Sequence, residues 1–196
     1  LAQRWHRVSR GAFNPQAGVL RARWLQAERD GHAPSPDELA ELAASIGALP
    51  YRVDGTVVVR LGDCADLDHH ALAKGWIVDR AVEAALAVPG VLEVLVNAGG
   101  DLRHVGGDPI TVGIEDPRRP FDNAAPLATV HLGDGGLAAS SGARRPMRIA
   151  GSSFSHVLDP RTGLPVRHTL SATAIAGDAC SADVAATIVG VLPIAE

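Results

Sequence analysis

The chain has 196 residues, 46% of them hydrophobic and 20% charged, with a formal net charge of -4. That length buries the core of one large domain or two small ones, and the slightly acidic balance leaves no electrostatic case for nucleic acid or another polyanion. Two cysteines far apart, Cys64 and Cys180, make no disulfide framework, and no apolar run approaches a membrane span.

The first fifty residues read as helical. Apolar positions recur through VLRARWLQ, and in PSPDELAELAASIGAL Pro36 opens a helix after Ser35, with Asp37 and Glu38 at its positive end. TVVVRL at 56–61 predicts a strand. The next stretch, DCADLDHHALAKG at 63–75, crowds Asp63, Cys64, Asp66, Asp68, His69 and His70 together. Thiolate and imidazole suit zinc, but a second ligand pair is missing, and adjacent histidines point in different directions on a helix or a strand. LAKGWIVDRAVEAAL at 72–86 fits an amphipathic helix closed by Pro89 and Gly90. Residues 63–71 therefore form a loop into a helix N-terminus, where backbone N–H groups welcome negative charge.

Beyond Gly90 the texture becomes β. VLEVLVNAGG, PITVGIED, LATVHLG, GLAASSG, MRIAGSSFSHVLD and LSATAIAG are short runs divided by Gly, Asp and Pro. GDGG at 133–136 and AGSS at 150–153 read as hairpin turns. A last helix is expected near Ser181, with Ser181 as N-cap and Asp183 in its first turn. Helices and antiparallel strands mix without regular βαβ alternation, which makes the class α+β.

Three further constellations carry chemistry. Asp183 and Thr187 are four apart in SADVAATIVG and share one helix face, a hard-oxygen pair suited to Mg²⁺, or else a solvated Asp and a Thr bonded back to its own helix. In FSHVLDPRTG, strand alternation turns Phe154, His156 and Leu158 the same way before a sharp turn; such a histidine is either a core residue or, beside a cleft, a proton-transfer group. VNAGGDLR ends an apolar strand in two glycines and an acid, which is a hairpin corner or a place for a ligand to approach the backbone, and not a dinucleotide fingerprint.

Taken in order, GAFNPQAGVL, DHHALAKGWIVDRA, VNAGGD, IEDP, AASSG, SHVLDPRTG and CSADVAAT resemble the signature blocks of the ApbE family, the Mg²⁺-dependent FAD:protein FMN transferases. The resemblance runs from about Gly11 to the C-terminus. It implies a T-fold-like α+β architecture of largely antiparallel sheets packed with helices, with a flavin cleft between two lobes. It also implies transfer of FMN from FAD to a Thr or Ser hydroxyl of a target flavoprotein, with AMP released. Carried across residue by residue, the resemblance makes the Ala71 carbonyl, Asp183 and Thr187 the Mg²⁺ ligands and His156 the catalytic histidine. Ala12, Phe13, Asn14, Asp68, Lys74 and Leu158 become FAD contacts, while Asn97, Gly99, Gly100 and residues 140–142 match blocks around the flavin cleft without a specific role.

Asn14 stands where the family commonly has Asp, and His69 and His70 stand where an apolar residue and Gly are usual. Against the family pattern, residues 1–196 read as a single transferase domain cut at both ends, without the N-terminal flavin-site segment and the C-terminal β extension. An exported or membrane-anchored protein and a cytoplasmic one are both compatible with this, the anchor lying in the missing N-terminal part. Two other functions use the same residues: an FAD pyrophosphatase giving FMN and AMP, and a non-catalytic flavin-binding protein. The metal pair favours an enzyme over a binder.

Overall fold

A computed structural model describes residues 1–62, 67–121, 123–142 and 146–193. Asp63, Cys64 and Asp66, the acidic and thiol groups that open the 63–75 stretch, lie outside the described residues. The chain divides into two compact units, the first made of Leu1–His69, Arg145–His168 and Val191–Glu196, the second of His70–Arg144 and Thr169–Gly190.

The first unit holds helices α1 (Ala2–Val8), α2 (Gly18–Asp30) and α3 (Pro36–Ser45) and two hairpins, β1 (Tyr51–Asp54) with β2 (Val57–Arg60) and β8 (Met147–Ile149) with β9 (Ser152–Phe154). α3 starts as its local chemistry dictates: Pro36 needs no N–H partner, and the Ser35 hydroxyl accepts from the Glu38 N–H at 3.2 Å. On α2, Leu20, Trp24 and Ala27 recur at helical spacing and are buried. Trp24 and Ala27 pack with Leu39, Met147 and Ile149, and Phe154 and Leu158 close the cluster from the side. The Trp24 and Phe154 rings are 5.3 Å apart, tilted at 43°.

The AGSS expectation holds: Ala150 and Gly151, both with positive φ, form the two-residue turn joining β8 to β9. β1, by contrast, has no sequence signature. Only Tyr51 of its four residues is buried, so no alternation marks it, and pairing with β2 creates it.

The second unit contains α4 (His70–Leu86), β3 (Val94–Ala98), β4 (Asp101–Val105), β5 (Ile110–Ile114), β6 (Ala128–Leu132), β7 (Gly135–Ser141), β10 (Ser171–Ala176) and α5 (Ala179–Val191). Four strands form an antiparallel sheet in the order β10-β7-β4-β3, and β5 pairs with β6 separately. VNAGG is a hairpin corner: Gly99 and Gly100 take positive φ and the Asn97 carboxamide oxygen accepts from the Gly100 N–H at 3.1 Å. GDGG is not. β6 pairs with β5, whereas β7 pairs with β4 and β10, so residues 133 and 134 carry the chain from one sheet to another. Residues 140 and 141 continue β7 opposite β10.

Leu102, Leu132 and Leu137 form one core of this unit, and Ala138, Ala182 and Ala186 form a second between β7 and α5. The small side chains of that second core let helix and strand approach closely. No helix among the described residues is long and apolar enough to cross a membrane.

The Trp24 indole N–H donates to the Gly163 carbonyl at 2.9 Å, tying α2 to the DPRTG turn. Trp24→Phe keeps an aromatic ring, though a smaller one, and leaves that buried carbonyl without its donor. The expected loss is roughly 1–3 kcal/mol, read as a shift in the urea-unfolding midpoint.

Candidate functional site

In the second unit the start of α5 runs against α4. A Cβ added to Gly75 would lie 2.3 Å from the Ala179 carbonyl oxygen, so only hydrogen fits there. One turn further along α4, the buried Asp79 carboxylate accepts from the N–H groups of Ala179 at 2.9 Å and Cys180 at 3.0 Å. These are donors that a helix start leaves without intrahelical partners. Arg103 completes the arrangement, 3.2 Å from Asp79 and 2.8 Å from the Gly177 carbonyl. Asp178 accepts from the Ser181 N–H at 2.6 Å and the Ser181 hydroxyl at 2.9 Å. The expected cap is therefore corrected. Ser181 lies inside the first turn of α5, which is capped by Asp178 and, across the contact, by Asp79; Asp183 follows that turn.

Docked this way, α5 brings Asp183 to the first turns of α4. Its Oδ2 accepts from the Gly75 N–H at 3.2 Å, and its Oδ1 lies 3.4 Å from Lys74 Nζ. In a regular helix the Gly75 N–H points at the carbonyl four residues back, that of Ala71, so Ala71 and Asp183 share this donor's neighbourhood. Thr187 follows Asp183 by one turn on the same helix face and is half-buried. α4 itself begins at His70, two residues earlier than its apolar pattern suggests.

Lys74 Nζ also donates to Asp101 Oδ2. Asp101 is 1% exposed at the first position of β4, and sequence reasoning passed over it in favour of the glycines before it. A signal was available: an acidic residue opening an apolar strand is buried with it and needs a cation, in a chain with one lysine.

Burial pulls the Lys74 ammonium pKa down, but the hydrogen bond to Asp101 and the charges of both carboxylates outweigh it and leave the value raised. Asp183 is also raised, first by burial and then by Asp101, with Lys74 and the Gly75 N–H offsetting only part. The Cys180 thiol is pushed up to about 11, mainly by burial and then by Asp178, Asp79 and Asp183.

The remaining candidates belong to the first unit. Ala12, Phe13 and Asn14 are buried in the loop after α1. Asn14 is a scaffold within its own unit: its Oδ1 accepts from the Gln16 N–H at 2.8 Å and its Nδ2 donates to the Ile46 carbonyl at 2.7 Å. It also lines a cavity of about 830 Å³ with Arg10, Gly11, Ala43 and Arg161. The Asp68 N–H donates to the Pro15 carbonyl at 2.6 Å, joining the segment before α4 to this loop. His156 does not share a face with its neighbours as expected. β9 ends at Phe154, and beyond it Phe154 and Leu158 pack on the core while His156 is exposed. Leu158 makes an isolated bridge with Pro165, and the turn between them is held by Asp159, whose carboxylate accepts from the Arg161 N–H and guanidinium.

The sequence profile of the ApbE family matches residues 1–196. The chain belongs to the ApbE family. It is similar to the FAD:protein FMN transferase of Rhodobacter capsulatus, 32% identical over 191 residues, or 91% of this chain and 35% of that protein. It is likewise similar to that of Haemophilus influenzae, 29% identical over 93% of this chain and 55% of the relative. Among solved structures, the ApbE protein of Thermotoga maritima superposes with a TM-score of 0.82 at 30% identity, covering 97% of this chain and 62% of the other. The apo flavinyl transferase ApbE of Pseudomonas stutzeri gives 0.76 at 27% identity, covering 97% of this chain and 60% of the other. The chain thus spans less than two thirds of the length of these ApbE relatives. The family's α+β fold is the one described above.

Two outcomes follow from the α4–α5 contact of this family member. Asp79→Ala removes a buried anion from Arg103 and two N–H groups, and the expected loss is roughly 3–5 kcal/mol, with hydrogen exchange at the Ala179 and Cys180 amides accelerated before the rest of α5. At pH 8 the Cys180 peptide should take up iodoacetamide on the order of a hundredfold more slowly than a free cysteine, scored by mass spectrometry.

Proposed function

We propose that this chain carries the FMN-transfer chemistry for which its relatives are named, moving FMN from FAD to a Thr or Ser hydroxyl of a target flavoprotein and releasing AMP. The observation that carries this reading is Asp183, a buried carboxylate set by α5 against the first turn of α4, with one half-exposed lysine facing it and Asp101 together. With the Lys74 ammonium given to Asp101, the buried Asp183 carboxylate has that cation only at 3.4 Å, and a divalent ion relieves its burial.

The residues present fit a hard divalent ion. Among the described residues no group of three or more His, Cys, Asp or Glu could hold a metal. The protein's share would come from the Asp183 carboxylate, the Thr187 hydroxyl and the Ala71 carbonyl. Such a small all-oxygen set suits Mg²⁺, which retains water and takes its other ligands from phosphates. When bound, Mg²⁺ supplies charge neutralisation for the phosphoryl oxygens of FAD.

The chain's own groups do the rest. Lys74 presents a second positive charge to the dinucleotide. Ala12, Phe13, Asn14, Asp68 and Leu158 contact FAD largely through backbone and apolar surface, since the Asn14 carboxamide is engaged with Gln16 and Ile46. As the acceptor oxygen forms its bond to the FMN phosphorus, the bond from that phosphorus to the bridging oxygen breaks and AMP leaves with it. His156 Nε2 or Nδ1 takes the acceptor's proton, a contribution of roughly 10² to 10⁴-fold for such a base. His156 is exposed, as a base that must meet a protein substrate has to be.

Incubation with FAD, Mg²⁺ and a target domain bearing an acceptor threonine is expected to give covalent flavin, seen by in-gel fluorescence and abolished by EDTA. Asp183→Ala and His156→Ala should each reduce labelling at least a hundredfold. Labelling that survives in the double variant would sink the proposal. AMP released at the same rate without acceptor would make the chain an FAD pyrophosphatase instead.

A further inference from the structure

Lys74 is the chain's one lysine, and it faces two carboxylates whose side chains are 2% and 6% exposed, Asp101 and Asp183. It does not divide itself equally. Nζ donates to Asp101 Oδ2, while Asp183 Oδ1 is 3.4 Å away, beyond the usual length of a charge-assisted hydrogen bond. Asp101 is carried by a paired strand. It opens β4 directly after the Gly99–Gly100 turn, and β4 is an interior strand bonded on both sides. Lysine's four-carbon stem is flexible, so its head goes where the nearest buried anion holds it.

We propose that Asp101 is the positioning residue for Lys74, holding its ammonium off Asp183 so that the Asp183 carboxylate stays available to a divalent cation. This rests on the reading of Asp183 as a metal ligand. Without Asp101 the ammonium has a single buried carboxylate to neutralise and closes on Asp183, occupying the oxygens the metal needs. Asp101 is thus a partner of the metal site that acts through Lys74 and touches no substrate, and it keeps the lysine head beside the cation instead of in its place.

A double-mutant cycle on the whole chain, with Mn²⁺ as the probe and no flavin present, separates this from a direct charge effect. Asp101→Asn keeps the shape and removes the charge, and Mn²⁺ binding measured by calorimetry should weaken about tenfold or more, as for other partners that orient a metal's surroundings. In a Lys74→Met background the same substitution should change Mn²⁺ affinity less than about threefold, because the competing ammonium is gone. An equal loss in both backgrounds means that Asp101 acts on the cation by its own charge, and it overturns the proposal, as does no loss in either.

A second readout needs no metal. With lysine labelled by ¹⁵N, the single side-chain ammonium should give a hydrogen-bonded signal that persists in Asp183→Asn and disappears in Asp101→Asn; the reverse pattern overturns the pairing. Failure of the unmutated chain to bind Mn²⁺ overturns the metal reading of Asp183 and the part of this proposal that depends on it. The ammonium signal still decides whether Asp101 or Asp183 holds Lys74.

Discussion

The second unit depends on how closely the start of α5 can approach α4, and that closeness is an electrostatic and a steric fact at once. The leading N–H groups of a helix are donors without intrahelical partners, and Asp79 satisfies two of them with a carboxylate that is itself only 6% exposed. The carboxylate is tolerable inside because Arg103 meets it from β4. The approach is possible at all because Gly75 and Gly136 offer no side chain: a Cβ on Gly136 would stand 2.5 Å from the Ala179 Cα. Ala138, Ala182 and Ala186 continue the same thin interface along α5.

The cluster around Lys74 follows from this contact. Once α5 is set against α4, Asp183 meets the Gly75 N–H and the Lys74 head, and β4 brings Asp101 to the same place. The result, among the described residues, is two buried carboxylates, Asp101 and Asp183, facing one lysine. The first unit handles its polar side chains in the opposite manner. Asn14 and Gln16 are buried and spent on backbone groups near Ile46 and Ala48, which closes the loop after α1 on the end of α3. One unit gathers two buried carboxylates around a lysine, and the other satisfies its buried carboxamides with backbone groups.

Features written in a few neighbouring residues were legible before any coordinates. Ser35, Pro36 and Glu38 start α3 because a cap and its donor sit within one turn. Ala150 and Gly151 turn β8 into β9 because both strands belong to one hairpin. GDGG misled because its glycines resemble a hairpin turn, while the pairing of β7 with β4 and β10 is decided by residues far along the chain. The start of α5 was misplaced by two residues for a similar reason, since part of its cap is a carboxylate a hundred positions earlier. His156 left the face shared by Phe154 and Leu158 because β9 stops before it, and a period of two has meaning only while a strand lasts.

By itself the sequence determined the local elements, the α+β class, the family blocks and the helix-face relation of Asp183 to Thr187, all of which depend on spacing within a few turns of chain. Tertiary structure alone decided that Asp79 caps a helix distant in sequence, that Asp101 and not only Asp183 faces Lys74, and that Asn14 is held by Ile46. The difference is physical. Helix periodicity and caps are short-range properties of the backbone, whereas the partner of a buried charge is whichever opposite charge the packing brings within reach.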